Sequence, residues 1–171
     1  NTPETSPSQN VHGIALAVLL VHGPKELVDI GRPGPKVPAK NVVVVGVRDL
    51  DPLEKELVRA SGCTVFTMRD IDEVGIRAIF TGIIKGFKHL DKIHVSLDLD
   101  VIDPQGAPGV GTPSQGGLTY REAQLIMEIL AETEKLHSVD IMEINPILDI
   151  QNRTAQMAVN LVASLFGKKI L

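Results

Sequence analysis

Four short apolar runs mark the predicted strands of this chain. They are NVVVVG from Asn41, CTVFT from Cys63, KIHVSLD from Lys92 and VDIME from Val139. Such short, largely apolar runs are typical of parallel strands that are buried on both faces. We therefore expect a sheet whose two faces are covered.

Helical patterns lie between these runs. They cover Asp51 to Ala60, Asp70 to about Phe87, Thr119 to about Glu132 and Thr154 to Phe166, and a fifth runs from about His12 to Val21. Thr119 and Glu122 have the T-x-x-E spacing of a capping box, and GRPGPKVPAK after Ile30 predicts a loop.

Alternating strands and helices predict an α/β fold. Right-handed crossovers would give a doubly wound, open parallel sheet with helices on both faces, in a single domain over residues 1–171. Ligands of such sheets bind beyond the carboxyl ends of the strands. Candidate functional residues are therefore sought where the strands end.

Composition narrows the class of partner. The chain has 171 residues and a net charge of -4, and its 17 Lys and Arg residues form no basic run, which argues against nucleic acid. Its apolar stretches are too short to span a membrane, so we expect a soluble protein with a small-molecule ligand. The single cysteine, Cys63, fits a reducing compartment, with the cytoplasm as the default.

Two acids stand at the carboxyl end of the third predicted strand. Asp98 and Asp100 are spaced i and i+2, which places them on one side of a strand, and Asp103 follows three residues on. Neighbouring carboxylates repel each other unless a divalent cation compensates their charge, and oxygen ligands suit Mg or Mn. The alternative, that these acids cap turns around Pro104, is equally compatible with the D-x-D pattern alone.

Glu143 stands at the carboxyl end of the next predicted strand. A carboxylate at this position can accept the paired N–H donors of a guanidinium group. The alternative is an ion pair with a lysine or arginine of the same chain, which the local sequence favours somewhat. The combination with the D-x-D acids favours the guanidinium.

Three segments resemble arginases of the ureohydrolase superfamily. They are SLDLDVIDPQGAPGVGTPSQGGLTYREA, EINPILD and NTPETSPSQNVHG, and the resemblance extends to LVASLFGKKIL at the end of the chain. The DxDxxDP and PGxGTP patterns are shared across the superfamily, including agmatinases, whereas the other two segments are similar to arginases in particular. The chain is thus similar to the carboxyl-terminal portion of an arginase.

The resemblance implies manganese-dependent hydrolysis of L-arginine to L-ornithine and urea by a hydroxide that bridges two Mn ions. Asp98 and Asp100 match manganese ligands. Glu143 matches the carboxylate that holds the guanidinium, and His12 matches a histidine that relays a proton to the departing amine. His12 could instead be an ordinary histidine at a helix start.

The resemblance also implies residues that recognise the amino-acid end of the substrate. The residues matched to the α-carboxylate are Asn1, Ser6, Ser8 and Asn10, those matched to the α-ammonium are Asp51 and Glu54, and Thr112 lines the site. Asp51 before Pro52 could instead only cap its helix.

The sequence departs from the arginase pattern in two respects. The family's metal site also uses an upstream histidine and an Asp-x-His-x-Asp motif that are not in these 171 residues. We therefore expect a fold that is incomplete at its amino-terminal side and a chain that by itself binds metal weakly. Gln9 stands where the family usually has glycine, which matters if the position needs a positive φ.

Other features follow from the resemblance or remain as alternatives. The family implies a homo-oligomer, a trimer or a hexamer. The alternatives to an arginase are a non-catalytic module with the same fold and a ureohydrolase for another guanidine such as agmatine.

Overall fold

A computed structural model describes residues 1–169 of the chain. The last two letters of LVASLFGKKIL lie outside the described residues. The chain divides into two compact units, residues 1–66 and residues from Thr67 onward. A single domain over residues 1–171 stays a prediction beside this division.

The first unit contains two strands and three short helices. β1 and β2 pair with each other, and Thr64 N–H donates to Val42 O over 3.1 Å. The predicted fifth helix begins as a 3₁₀ turn and ends two residues early. The elements in chain order are the 3₁₀ helix Val11–Ile14, α1 (Ala15–Leu19), α2 (Lys25–Val28), the 3₁₀ helix Ala39–Asn41, β1 (Val43–Val47), α3 (Pro52–Ala60) and β2 (Thr64–Thr67).

The second unit contains a parallel strand pair and four α-helices. Helix α6 packs against both α5 and α7, and the fully buried side chains include Leu99, Ile102 and Leu161. The elements in chain order are α4 (Met68–Val74), α5 (Ile76–Gly86), the 3₁₀ helix Phe87–His89, β3 (Ile93–Asp98), the 3₁₀ helix Leu99–Val101, α6 (Tyr120–Ala131), β4 (Leu136–Met142) and α7 (Arg153–Leu165).

Strands β3 and β4 pair in parallel, and their register aligns their carboxyl ends. Asp98 at the end of β3 is opposite Met142 at the end of β4, so Glu143 is the next residue beyond the pair. Parallel pairing thus brings together two acids that are far apart in sequence, as expected for strand ends at one edge of a sheet.

Burial on both strand faces, as predicted, is wrong for β3 and β4. His94 and Ser96 are exposed, whereas Leu97 is buried, and on β4 Ser138 and Asp140 are exposed. The run IHVSLD in fact alternates apolar and polar residues, which is the pattern of a strand with one polar face. The prediction of two buried faces rested on the density of apolar residues and left out their alternation with polar ones.

The long helix predicted from Asp70 to Phe87 is two helices. Gly75 separates them with φ 87 and ψ 144, a conformation that essentially only glycine adopts. Thr67 caps α4, with its Oγ1 accepting Asp70 N–H over 3.2 Å. The predicted capping box of α6 is confirmed, because Thr119 Oγ1 accepts Glu122 N–H over 3.2 Å while Glu122 Oε2 accepts Thr119 N–H over 2.7 Å.

Candidate active site

The D-x-D acids lie at a tight turn rather than along a strand. β3 ends at Asp98, and Asp100 lies in the 3₁₀ helix that follows. Asp98 Oδ1 accepts Asp100 N–H over 3.1 Å, and Leu99 between them is completely buried. Burial of Leu99 anchors the turn, so the two carboxylates stay close together although they are not i and i+2 on one strand as predicted.

Asp98, Asp100 and Glu143 lie close enough for their charges to interact. The pKa of Asp98 is raised to about 6, first by desolvation and then by the negative charges of Asp100 and Glu143 and a side-chain hydrogen bond with Asp100. The backbone hydrogen bond from Asp100 opposes this rise. A cation at this point would remove the repulsion, since it favours the ionised carboxylates.

This raised pKa predicts that Asp98→Asn stabilises the protein when divalent cations are removed by a chelator. The folded pKa of about 6 exceeds the ordinary value of 3.8, so ionising Asp98 weakens the folded state as pH rises through 6. Because Asp98 is only half-buried, solvent screening reduces the effect to about 1 kcal/mol at pH 7. The gain should fall to a small fraction of this near pH 4, because Asp98 is then protonated in the folded state and only partly ionised in the unfolded state at its ordinary pKa of 3.8.

Urea denaturation of the chelated protein at pH 7 and pH 4 measures this effect. Asp72→Asn is the matched control, because it makes the same charge change at an exposed position of α4. An equal gain for both variants, or a gain for Asp98→Asn that persists at pH 4, would contradict the assigned cause.

Thr112 and Glu143 complete the cluster in the second unit. Thr112 Oγ1 donates to Asp100 Oδ2 over 3.0 Å, so the exposed threonine does lie beside the predicted metal ligands. Glu143 follows β4 with φ 66, a left-handed conformation that is uncommon for a residue with a side chain. Its charge acts on Asp98, which places its carboxylate near the D-x-D acids.

Two glycines in the segment GVGTP were not assigned in the sequence. A Cβ on Gly109 would lie 2.5 Å from Asp149 Cβ, and a Cβ on Gly111 would lie 3.4 Å from Glu143 Oε2. The first distance is too short for any side chain, and the second is tight. Alternate glycines directly after the acidic motif were the available signal for a close approach of backbone.

Asp103 caps a turn beside Pro104, which was the alternative role for Asp98, Asp100 and Asp103. Asp103 Oδ1 accepts Gln105 N–H over 3.0 Å, and Oδ2 accepts Gly116 N–H over 2.9 Å. These bonds hold together the two ends of the loop between β3 and α6. The turn-capping interpretation therefore applies to Asp103.

In the first unit, the predicted ammonium-binding acids both contact Asn1. Asn1 Nδ2 donates to Asp51 Oδ2 over 2.9 Å, and the backbone nitrogen of Asn1 lies 2.7 Å from Glu54 Oε1. Asp51 also caps α3 in a capping box with Glu54, directly before Pro52. The alternative role of Asp51 as a helix cap is thus present.

Residues 6–10 form a loop, called here the serine loop, whose shape is held by hydrogen bonds to its own hydroxyl groups. Ser6 Oγ accepts Gln9 N–H over 3.1 Å and lies 3.4 Å from Ser8 Oγ, and Ser8 Oγ accepts Asn10 N–H over 3.3 Å. Gln9, which stands where the family usually has glycine, has φ 54, a left-handed conformation. A residue with a Cβ tolerates this conformation less well than glycine.

His12 lies in the 3₁₀ helix Val11–Ile14, and its side chain is exposed. Asn10 precedes this helix with an extended backbone and is also exposed. His12 therefore does stand at a helix start, as its alternative interpretation had it, at a position that solvent reaches.

The donors of the second unit fit manganese in kind but are few. Carboxylate oxygens are ligands that octahedral Mn accepts, and the pKa of Asp98 indicates negative charge that a cation would compensate. Within residues 1–169, no group of three or more His, Cys, Asp and Glu side chains is arranged to hold an ion. In the same range, no helix is long and apolar enough to cross a membrane.

The fold and the site define an α/β protein with clustered acids beyond the ends of parallel strands. The family model described as Arginase family matches residues 1–167. The arginase of Brevibacillus brevis is 49% identical over 172 residues, a match that covers 100% of this chain and 58% of that relative. The chain belongs to the Arginase family.

Solved structures agree with this assignment. An arginase from Bacillus cereus is similar with a TM-score of 0.97 and 50% identity, covering 100% of this chain and 59% of that chain. The arginase of Bacillus caldovelox is similar with a TM-score of 0.97 and 48% identity, covering 100% of this chain and 57% of that chain. The predicted α/β fold of arginase type is confirmed, and the chain spans less than two thirds of the length of these relatives.

Proposed function

We propose that the protein containing this chain is a manganese-dependent arginase that hydrolyses L-arginine to L-ornithine and urea. The observation that supports this most is the cluster of Asp98, Asp100 and Glu143 beyond the ends of β3 and β4, in a chain of the Arginase family. Its charge suits both a divalent cation and the cationic end of arginine.

Asp98 and Asp100 would hold manganese. An octahedral ion takes about six ligands, so the two aspartates form part of a set that further ligands complete. Manganese, when bound, supplies Lewis acidity that lowers the pKa of water, so that a nucleophile for the guanidinium carbon is available at neutral pH. Thr112 supports the site by donating its hydroxyl to Asp100.

Glu143 would bind the guanidinium. A carboxylate accepts two parallel N–H donors from the planar group, which fixes its orientation as well as its position. The close approach of the Gly111 backbone leaves room for the carboxylate but little for another side chain. Arginine would thus present its central carbon in a defined direction.

The remaining groups would bind the amino-acid end of the substrate and move a proton. Asp51 and Glu54, whose carboxylates lie together in the capping box of α3, would meet the α-ammonium. The serine loop, which includes Asn10, would donate hydrogen bonds to the α-carboxylate. Ser6 and Ser8 share one hydrogen bond between their hydroxyls, so one hydroxyl hydrogen is used between them and the other can donate to the substrate. Exposed His12 would protonate the departing amine, because imidazole exchanges protons near neutral pH.

An assay of arginine against agmatine tests this proposal. With manganese present, the full-length protein should release urea from L-arginine with a kcat/KM at least about 100-fold above that for agmatine, because agmatine has no α-carboxylate to accept the hydrogen-bond donors of the serine loop. A chelator should abolish the activity. The 171-residue chain, assayed under the same conditions, should release urea from L-arginine much more slowly.

Two other outcomes would each replace the proposal. Equal turnover of agmatine would indicate a ureohydrolase for another guanidine. Absence of urea from either substrate, in full-length protein loaded with manganese, would indicate a non-catalytic module. Assembly as a trimer or hexamer and a location in the cytoplasm stay predictions.

A further inference from the structure

Asp149 caps the amino-terminal turn of α7 from outside the helix. The residue at the usual capping position, Asn152, has φ 59 and makes no side-chain cap. Instead, Asp149 Oδ1 accepts Thr154 N–H and Oδ2 accepts Ala155 N–H, each over 3.1 Å. The pKa of Asp149 is lowered: desolvation raises it, but hydrogen bonds from Thr154 and Ala155 outweigh desolvation. The ionised carboxylate is thus fixed against the first turn of α7.

Thr154 connects this cap to the glycine segment. Its side chain is completely buried, and Oγ1 accepts Gly109 N–H over 2.8 Å. Its backbone N–H donates to Asp149 Oδ1 over 3.1 Å, so Asp149 holds the residue that carries this hydroxyl. The buried Gly109 N–H thereby has its partner, which a buried amide requires.

Gly109 in turn contacts the segment that follows Glu143. Gly109 O accepts Asn145 N–H over 2.8 Å, and Val110 forms an antiparallel bridge with Ile144. Gly109 is therefore held on one side by α7 and on the other side by residues directly after Glu143. Any Cβ at Gly109 would collide with Asp149, so the approach depends on this glycine.

The acid that this segment supports has a backbone conformation that is not intrinsically stable. Glu143 has φ 66, which costs free energy in a residue with a side chain and persists only where surrounding contacts enforce it. The bonds of Asn145 and Ile144 to the glycine segment are such contacts. Thr112, which donates to Asp100, follows in the same segment.

We propose that Thr154 is a positioning residue for Glu143: its buried hydroxyl, on a residue held by Asp149, fixes the segment 109–112 that enforces the conformation of the Glu143 backbone. This inference rests on the proposed function only in that Glu143 binds the guanidinium. The series of contacts from Thr154 through Gly109 to Glu143 lies within this chain and does not depend on the substrate.

The matched variants are Thr154→Ala and Thr154→Ser. Both remove the methyl group, but only serine keeps the hydroxyl, so their difference isolates the hydrogen bonds. In the full-length protein, amide hydrogen exchange and chemical shifts are measured for Gly109, Gly111, Glu143 and the β3 residues. With alanine we expect exchange at Gly109 about tenfold faster or more, as follows from an unpaired buried amide, and shifted resonances at Glu143. In the Thr154→Ser variant, exchange rates and chemical shifts should stay close to those of the wild type. The same holds for the β3 residues in both variants.

Turnover of the full-length protein gives the second readout. Alanine should lower kcat/KM for L-arginine about tenfold or more at a temperature where the protein stays folded, and serine should restore it. A merely structural role would lower the unfolding midpoint without this change in kcat/KM. Shifts at Gly109 that do not reach Glu143, or equal behaviour of the two variants, would overturn the inference.

Failure of the two proposals can be told apart. A wild-type protein without arginine turnover would contradict the proposed function, while the exchange and shift measurements would still decide whether Thr154 positions Glu143. An active wild type whose alanine variant keeps kcat/KM would contradict the positioning role alone.

Discussion

Replacing Asp98 with alanine is expected to abolish manganese binding and urea release by the full-length protein. Asp98 has the strongest electrostatic demand for a cation in the acid cluster, because desolvation and two neighbouring acids raise its pKa to about 6. Loss of the Lewis acid removes several kcal/mol of transition-state stabilisation, so kcat should fall by at least about 1000-fold. Manganese titration followed by electron paramagnetic resonance, together with a urea assay, measures both effects.

The control for this variant is Asp72→Ala, which removes an exposed carboxylate from α4. It should keep both manganese affinity and turnover. If Asp98→Ala kept full urea production, the assignment of the metal site would be wrong.

Replacing Glu143 with glutamine is expected to leave manganese binding intact and to remove most turnover. Glutamine keeps the size of the side chain, but it replaces one acceptor oxygen with an N–H donor and removes the charge that pairs with a guanidinium. We expect kcat to fall by about 100- to 1000-fold, comparable to removing one preorganised group from a polar active site. Stopped assays at saturating L-arginine separate this loss in kcat from a change in KM.

Glu134→Gln is the matched control for Glu143→Gln. Glu134 is exposed and also has a left-handed backbone, with φ 57, so it receives the same substitution in the same conformation away from the acid cluster. A loss of manganese affinity in Glu143→Gln would instead identify Glu143 as a metal ligand. An unchanged kcat would exclude it from guanidinium binding.

Local features of this protein were predictable from short stretches of sequence. The strand runs, the capping box of Thr119 and Glu122, and the helix start at Asp51 and Pro52 each depend on interactions within about four residues. Such features are encoded where they occur, so the sequence alone sufficed.

Errors arose where neighbouring elements decide the outcome. The polar face of β3 was visible as alternation in IHVSLD, but the density of apolar residues outweighed it in the prediction. The break at Gly75 was missed, because an isolated glycine is tolerated inside many helices and only its observed φ of 87 ends α4. Asp103 shared its motif with Asp98 and Asp100, and its hydrogen bond from Gly116 N–H across the loop distinguishes its role, since Asp98 also accepts a local amide.

The sequence by itself determined which residues could form the site and which family they resemble. Only the tertiary structure decided how they meet: the parallel register of β3 and β4 sets Glu143 beside Asp98, and the buried hydroxyl of Thr154 reaches Gly109. The physical reason is that such contacts join residues far apart in the chain, and their geometry depends on packing and strand register. A register shift of one residue would turn every side chain of a strand to the opposite face.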